Sequence, residues 1–142
     1  MKTRYSSLVT LKKSTVQRSE QALQSANATL NTATMELQLA YDLLDTIKPP
    51  QTGSISELIS SRSLMESQRG VIQHNQEWIR FAKEQVELAK VKLKADMIEY
   101  EKFHYLELEE VKKKLKEIKM QEAKDLDEVA LMTYTKKNKK EA

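Results

Sequence analysis

The first third of the chain repeats apolar residues with a period of seven. Members of the main series are Val9, Val16, Leu23, Leu30, Leu37 and Leu44. A second series lies between them and consists of Tyr5, Lys12, Ser19, Ala26, Ala33, Ala40 and Ile47. Steps that alternate between four and three are typical of the a and d positions of a coiled coil. The pattern predicts one long helix over residues 5–47 that is stable only against a partner helix.

A turn is predicted where both prolines of the chain, Pro49 and Pro50, follow this helix. Proline has no amide donor and disfavours the helical conformation in the residue before it. Ser54 and Glu57 then have the spacing of a capping box, in which each side chain bonds the other residue's amide. The sequence therefore predicts a turn over 48–53 and a second helix that starts near Ile55.

The second helix, predicted over about 55–135, carries its own seven-residue series. Its members are Leu58, Met65, Ile72, Ile79, Val86, Leu93 and Tyr100, with Ala82, Ala89 and Phe103 between them. Two long seams joined by a short turn fold back on each other. The predicted fold is all-α, an antiparallel two-helix coiled-coil hairpin that forms a single domain over 1–142. With the turn centred near Gln51, Tyr5 is expected to face Met97.

Beyond Tyr100 the spacing of the apolar residues changes. The predicted seam continues through His104, Leu108, Val111, Leu115, Ile118, Glu122, Leu126 and Val129. Because the first helix has no residues left to pair with this segment, the second helix is predicted to project past the first. A basic tail over 136–142 is expected to follow.

Composition argues against catalysis. The chain has no Cys, which excludes thiol chemistry, and its two histidines, His74 and His104, lie thirty residues apart on one helix, about 45 Å at 1.5 Å per residue. A two-helix ribbon offers no concave pocket in which carboxylates could act on a substrate. We therefore predict that the protein is not an enzyme and has no catalytic residues, metal site or cofactor. Without an apolar signal segment or membrane span, it is expected to be intracellular.

Charge gives a weak indication of nucleic-acid binding. The net charge of +3 comes from 24 Lys and Arg against 21 Asp and Glu, which are mixed along most of the chain. Lys136, Lys137, Lys139 and Lys140 form a basic block near residue 140. Nucleic-acid binders usually concentrate positive charge on one face or tail, so this function ranks third among the hypotheses.

Leu64, Val71 and Trp78 form another seven-residue series beside the main seam of the second helix. They could widen the seam within the molecule, or they could bind a partner, since Trp is a frequent anchor of protein interfaces. The sequence leaves both interpretations open.

Taken together, the layout resembles the FliJ family, a coiled-coil component of the bacterial flagellar type III export apparatus. Two segments carry the resemblance: Gln85-Val86-Glu87-Leu88-Ala89, and Lys124-Asp125-Leu126-Asp127-Glu128-Val129 followed by Lys136-Lys137. The resemblance implies a cytoplasmic protein that acts as a stalk in the centre of the hexameric export ATPase. It also implies contacts with the export gate protein and with empty export chaperones.

The resemblance places a gate-binding surface on Leu64, Gln68, Val71 and Asn75, beside Trp78. The projecting segment is expected to bind the ATPase through Leu108, Val111, Leu115, Ile118, Leu126, Val129, Lys136 and Lys137. About 70 Å of helix separates Val71 from Ile118, so each surface is expected to serve its own partner. The alternative is a coiled-coil scaffold or holdase chaperone, unrelated to secretion, that uses the projecting stripe to dimerise or to cover exposed clients.

Overall fold

The protein folds into two helices. The computed structural model describes residues 2–141, with side chains described for residues 2–139. Helix α1 spans Ser6–Thr46 and helix α2 spans Ile55–Glu141, and the described residues contain no strand. The all-α prediction is confirmed. Met1 and Ala142, at the ends of the predicted domain, and the side chain of Lys140, in the basic block, lie outside the described residues.

Local hydrogen bonds define the ends of the helices. Before α1, the backbone amide of Tyr5 donates to Thr3 Oγ1 (3.1 Å) and that of Ser6 to the Thr3 carbonyl (3.1 Å). Before α2, the Glu57 amide donates to Ser54 Oγ (3.3 Å), as the capping-box spacing predicted. Gly53 precedes this cap with φ of 152°, a conformation that side-chain-bearing residues rarely adopt.

The residues divide into two compact units, each with pairing between α1 and α2. One unit is Thr15–Met97, and the other combines Met1–Ser14 with Ile98–Ala142. In the first, the buried residues are Ser19, Ala33, Ala40, Ile72, Ala82 and Val86. Ala33 and Ala82 are 1% and 2% exposed, because their small side chains let the helix backbones approach closely. Each of the buried positions belongs to a predicted seam.

The pairing register differs from the expected one. In Thr15–Met97, Gln68 Nε2 donates to the Ala40 carbonyl (2.8 Å), and in the other unit Ser6 Oγ donates to Glu107 Oε1 (3.3 Å). The expectation that Tyr5 faces Met97 is therefore wrong, since its neighbour Ser6 faces a residue ten positions further along.

The asymmetry of the turn explains this shift. Ser61 Oγ donates to the Lys48 carbonyl (3.5 Å), so the connection runs beside the first turns of α2 instead of bending symmetrically. Ile55, Leu58 and Ile59 are consequently exposed. Leu58, which began the predicted second seam, is not part of the observed one.

In the unit that contains the chain ends, the seam keeps its seven-residue period. The half-buried seam positions of α2 after Met97 include Tyr100, Phe103, Glu107, Glu110 and Lys114. The predicted course through His104 and Leu108 is wrong, because both residues are exposed. Ser6 and Lys12 lie in the facing part of α1, and polar groups of α2 match them.

Ion pairs illustrate this match. Arg4 lies 3.8 Å from the Glu110 carboxylate, and Lys12 lies 4.0 Å from that of Glu99. Lys114 Nζ donates to the Lys2 carbonyl (3.4 Å). The seam therefore extends to Lys114 along α2.

Helix α2 continues past the point where the sequence predicted a tail. Residues 136–141 are helical, whereas the predicted helix ended near 135. The chain has no Gly or Pro after Gly70, and Lys is a good helix former, so nothing in the sequence stops α2 earlier.

Candidate partner-binding surfaces

The C-terminal part of α2 is exposed along its whole described length. Every residue from 115 to 139 is exposed, and we call this segment the overhang. The predicted ATPase-binding residues Leu115, Ile118, Leu126, Val129, Lys136 and Lys137 lie in it. Leu108 is exposed but precedes the overhang, and Val111 is half-buried in the α1–α2 seam. The structure thus groups six of the eight predicted residues on one unpaired helix.

Apolar residues lie on two sides of the overhang. One side carries Leu115, Ile118, Leu126 and Val129, and the other carries Met120, Leu131 and Tyr134. At 3.6 residues per turn these sides are nearly opposite. A helix that is apolar on opposite sides is more often surrounded by protein than docked on one surface. The second side was not predicted from the sequence, because its residues lie outside the single stripe that the seam spacing defines.

Charge is divided along the overhang. Its middle is acidic, with Glu122, Asp125, Asp127 and Glu128, and its end is basic, with Lys136, Lys137 and Lys139. Glu122, Asp125, Leu126 and Val129 line a shallow groove on the helix surface. The apolar groups of this groove are therefore bordered by carboxylates.

The predicted gate-binding residues divide between two faces of α2. Leu64, Val71 and Trp78 are 57%, 45% and 43% exposed, so they flank the seam instead of filling it. Gln68 and Asn75 are half-buried at seam positions. The bond from Gln68 Nε2 to the Ala40 carbonyl commits its amide to the hairpin.

Phe81 joins the exposed part of this surface. Its ring stacks on that of Trp78, with the centroids 5.4 Å apart and 25° between the planes. Phe81 was not predicted from the sequence, although its position three residues after Trp78 places both on one face of a helix. We define the lateral surface as Leu64, Val71, Trp78 and Phe81.

No metal-binding cluster occurs among the described residues, where no three His, Cys, Asp or Glu side chains converge. His104 stacks on Tyr100 with a centroid distance of 5.6 Å, so one of the two histidines has an aromatic packing role. None of the described helices is both long and apolar enough to cross a membrane.

Comparison with known proteins identifies the family. The family described as "Flagellar FliJ protein" matches residues 1–139 of the 142-residue chain. Curated proteins give no match, and solved structures give none either. The resemblance drawn from the two sequence segments is confirmed, and the family implies a role in flagellar protein export. The chain belongs to the FliJ family.

Proposed function

We propose that this protein is a non-enzymatic adaptor at the cytoplasmic face of the flagellar export apparatus. In this proposal the overhang binds the hexameric export ATPase and the lateral surface binds the export gate protein. The observation that carries the proposal is the overhang itself, a single helix in which every residue from 115 to 139 is exposed. Escort of export chaperones rests on the family alone.

The overhang suits a partner that encloses it. A single helix is about 10–12 Å wide with its side chains, so it enters spaces that exclude a two-helix hairpin. Its two apolar sides would both be buried inside a ring of subunits, at about 25 cal/mol per Å² of apolar surface removed from water. Lys136 and Lys137 would assist through charge, but exposed charges are screened in physiological salt. The apolar residues therefore supply most of the affinity.

The lateral surface suits a conventional interface. Trp is enriched among the residues that dominate binding energy, and a stacked Trp78–Phe81 pair presents a large, ordered apolar area. Leu64 and Val71 extend this area toward the turn. Gln68 and Asn75 contribute indirectly, because they lie half-buried in the seam of the hairpin on which the exposed residues are displayed.

The two surfaces lie in different units of the fold and can be tested separately. Leu115→Glu with Ile118→Glu should weaken ATPase binding at least about tenfold and leave gate binding unchanged. Val71→Glu should weaken gate binding at least about tenfold and leave ATPase binding unchanged. Titration calorimetry against the purified ATPase and against the cytoplasmic domain of the gate protein measures both affinities.

Leu39→Glu is the matched control, because Leu39 is an exposed apolar residue on α1 that belongs to neither surface. It should bind both partners as the parent does. The two-surface proposal fails if either surface variant, still helical by circular dichroism, loses both partners. Failure of the parent to bind either partner would favour the scaffold function instead.

A further inference from the structure

Helix α2 has a third apolar face, which shares only Phe81 with the lateral surface and no residue with the overhang. Phe81, Leu88, Val91 and Ile98 follow one another at steps of seven, three and seven, and we call them the outer stripe. They are 48%, 62%, 66% and 57% exposed. Leu88 and Val91 also line a groove with Arg80, Lys83, Glu84 and Glu87. The seam residues Ala82, Val86 and Ala89 face the other way, toward α1.

A row of charges with alternating sign accompanies the outer stripe. Arg80, Glu87, Lys94 and Glu101 follow one another at steps of seven along one edge of it. Residues seven apart lie nearly above one another on a helix, so these charges form a line. When two such lines run in opposite directions, each charge of one line faces a charge of opposite sign on the other.

We propose that the outer stripes of two copies of this chain pair in antiparallel orientation, about a two-fold axis between Ala89 and Lys90. Leu88 then lies opposite Val91 of the second copy, and Phe81 lies opposite Ile98. Each apolar layer occurs twice, because a two-fold interface uses the same surface on both copies. This interface goes beyond the proposed function and does not depend on it.

The same register places opposite charges together. Arg80 faces Glu101 of the second copy, and Glu87 faces Lys94. Both pairs occur twice by symmetry, so four ion pairs border the apolar layers. In antiparallel coiled coils the residues that flank the core determine orientation in this way.

Other registers bring like charges together. A parallel pair in register sets Glu84, which lies on the stripe beside Leu88, against Glu84 of the second copy. An antiparallel pair shifted by one heptad sets Lys94 against Lys94. Like charges in such positions are destabilising, and in the proposed register Glu84 faces Ala95 instead. Charge therefore selects one arrangement.

The interface is small, and we expect a weak dimer. The stripe covers about five turns of a single helix, less than the roughly 1,200 Å² of a standard interface. We expect a dissociation constant on the order of 100 µM. Sedimentation equilibrium of the full chain from about 10 µM to about 1 mM spans this range. A chain that remains monomeric throughout overturns the proposal.

Charge exchange tests the register. Glu87→Lys alone places two like-charge contacts in the interface and should weaken the dimer about fivefold, the scale of two exposed ion pairs. Lys94→Glu alone should do the same, and the double variant should return to within about twofold of the parent. Arg18→Glu with Glu20→Lys, both exposed on α1, is the matched control and should leave the dimer unchanged. Equal weakening in the single and double variants overturns the register.

Two further variants locate the interface. Leu88→Glu should abolish the dimer, whereas Leu115→Glu with Ile118→Glu should not. The reverse result would place self-association on the overhang and overturn the proposal.

Cross-linking tests the orientation, since the parent chain has no cysteine. An oxidised mixture of Phe81→Cys and Ile98→Cys chains should give the mixed disulfide dimer. Phe81→Cys alone should not cross-link, because seventeen residues of helix, about 25 Å, separate its two copies in the antiparallel pair. A disulfide between two Phe81→Cys chains would show a parallel pair and overturn the arrangement.

Discussion

At the residue scale, one polar seam position has the clearest role. Ser19 stands where the heptad pattern calls for an apolar residue, yet it is only 3% exposed. Its hydroxyl donates to the Asp96 carboxylate from the facing segment of α2, within the unit Thr15–Met97. A buried hydroxyl that lacks such an acceptor costs free energy. The bond therefore favours alignments that bring these two residues together.

We expect Ser19→Ala to lower the free energy of unfolding by about 1–2 kcal/mol, because the half-buried Asp96 carboxylate loses a donor. Asp96→Leu alone should also destabilise, since it leaves the Ser19 hydroxyl unsatisfied. The double variant should recover most of the loss, because replacement of both partners by apolar groups can be nearly neutral. Urea unfolding followed by circular dichroism measures all three. Additive losses would show that the bond contributes little.

At the scale of elements, the two glycines of the chain have opposite environments. Gly53 precedes the cap of α2 with φ of 152°, and a Cβ there would overlap the Glu57 carboxylate. Gly70 lies within α2, and a Cβ there would meet no atom within 4 Å. The sequence marked Gly53 as part of a turn, but only the structure separates a required glycine from a dispensable one.

Substitution of each glycine by alanine should therefore have opposite effects. Gly53→Ala should lower the free energy of unfolding by about 1 kcal/mol or more, because alanine is strained at this φ. Gly70→Ala should raise it by about 0.5–1 kcal/mol, the usual gain of alanine over glycine inside a helix. Each variant is the control for the other in thermal and urea unfolding. Destabilisation by Gly70→Ala would reveal a close contact at this position.

At the scale of the whole molecule, the overhang adds exposed surface, and its described residues do not pair with α1. The seam extends along α2 to Lys114, and the described side chains after it are exposed. A lone helix of this kind is stabilised mainly by its continuity with the paired part of α2. Its apolar residues therefore serve binding more than folding.

Removal of residues 115–142 should leave the free energy of unfolding within about 0.5 kcal/mol of the parent, as for other changes away from packed contacts. The truncated chain should lose ATPase binding and keep gate binding. Urea unfolding and calorimetric titration test the two expectations independently. A loss of more than about 2 kcal/mol would show that the overhang supports the hairpin.

The sequence by itself determined the helical class, the single turn and the seam face of α1. Each position of the two predicted series from Tyr5 to Ile47 is buried or half-buried, because a seven-residue period leaves one face for a partner. It also carried the family resemblance and selected six residues that lie in the overhang. Spacing alone revealed the series Leu64, Val71 and Trp78, but it did not show that these residues are exposed.

Tertiary structure decided the alignment of the two helices. A heptad pattern repeats every seven residues, so sliding one helix by a heptad keeps the apolar match and leaves the register undetermined. Polar contacts favour one register, namely Ser19 with Asp96 in one unit and Lys12 with Glu99 in the other. That register assigns Gln68 and Asn75 to the seam and extends pairing to Lys114. Which residues remain free for partners therefore depends on contacts between residues far apart in sequence, which periodicity alone does not encode.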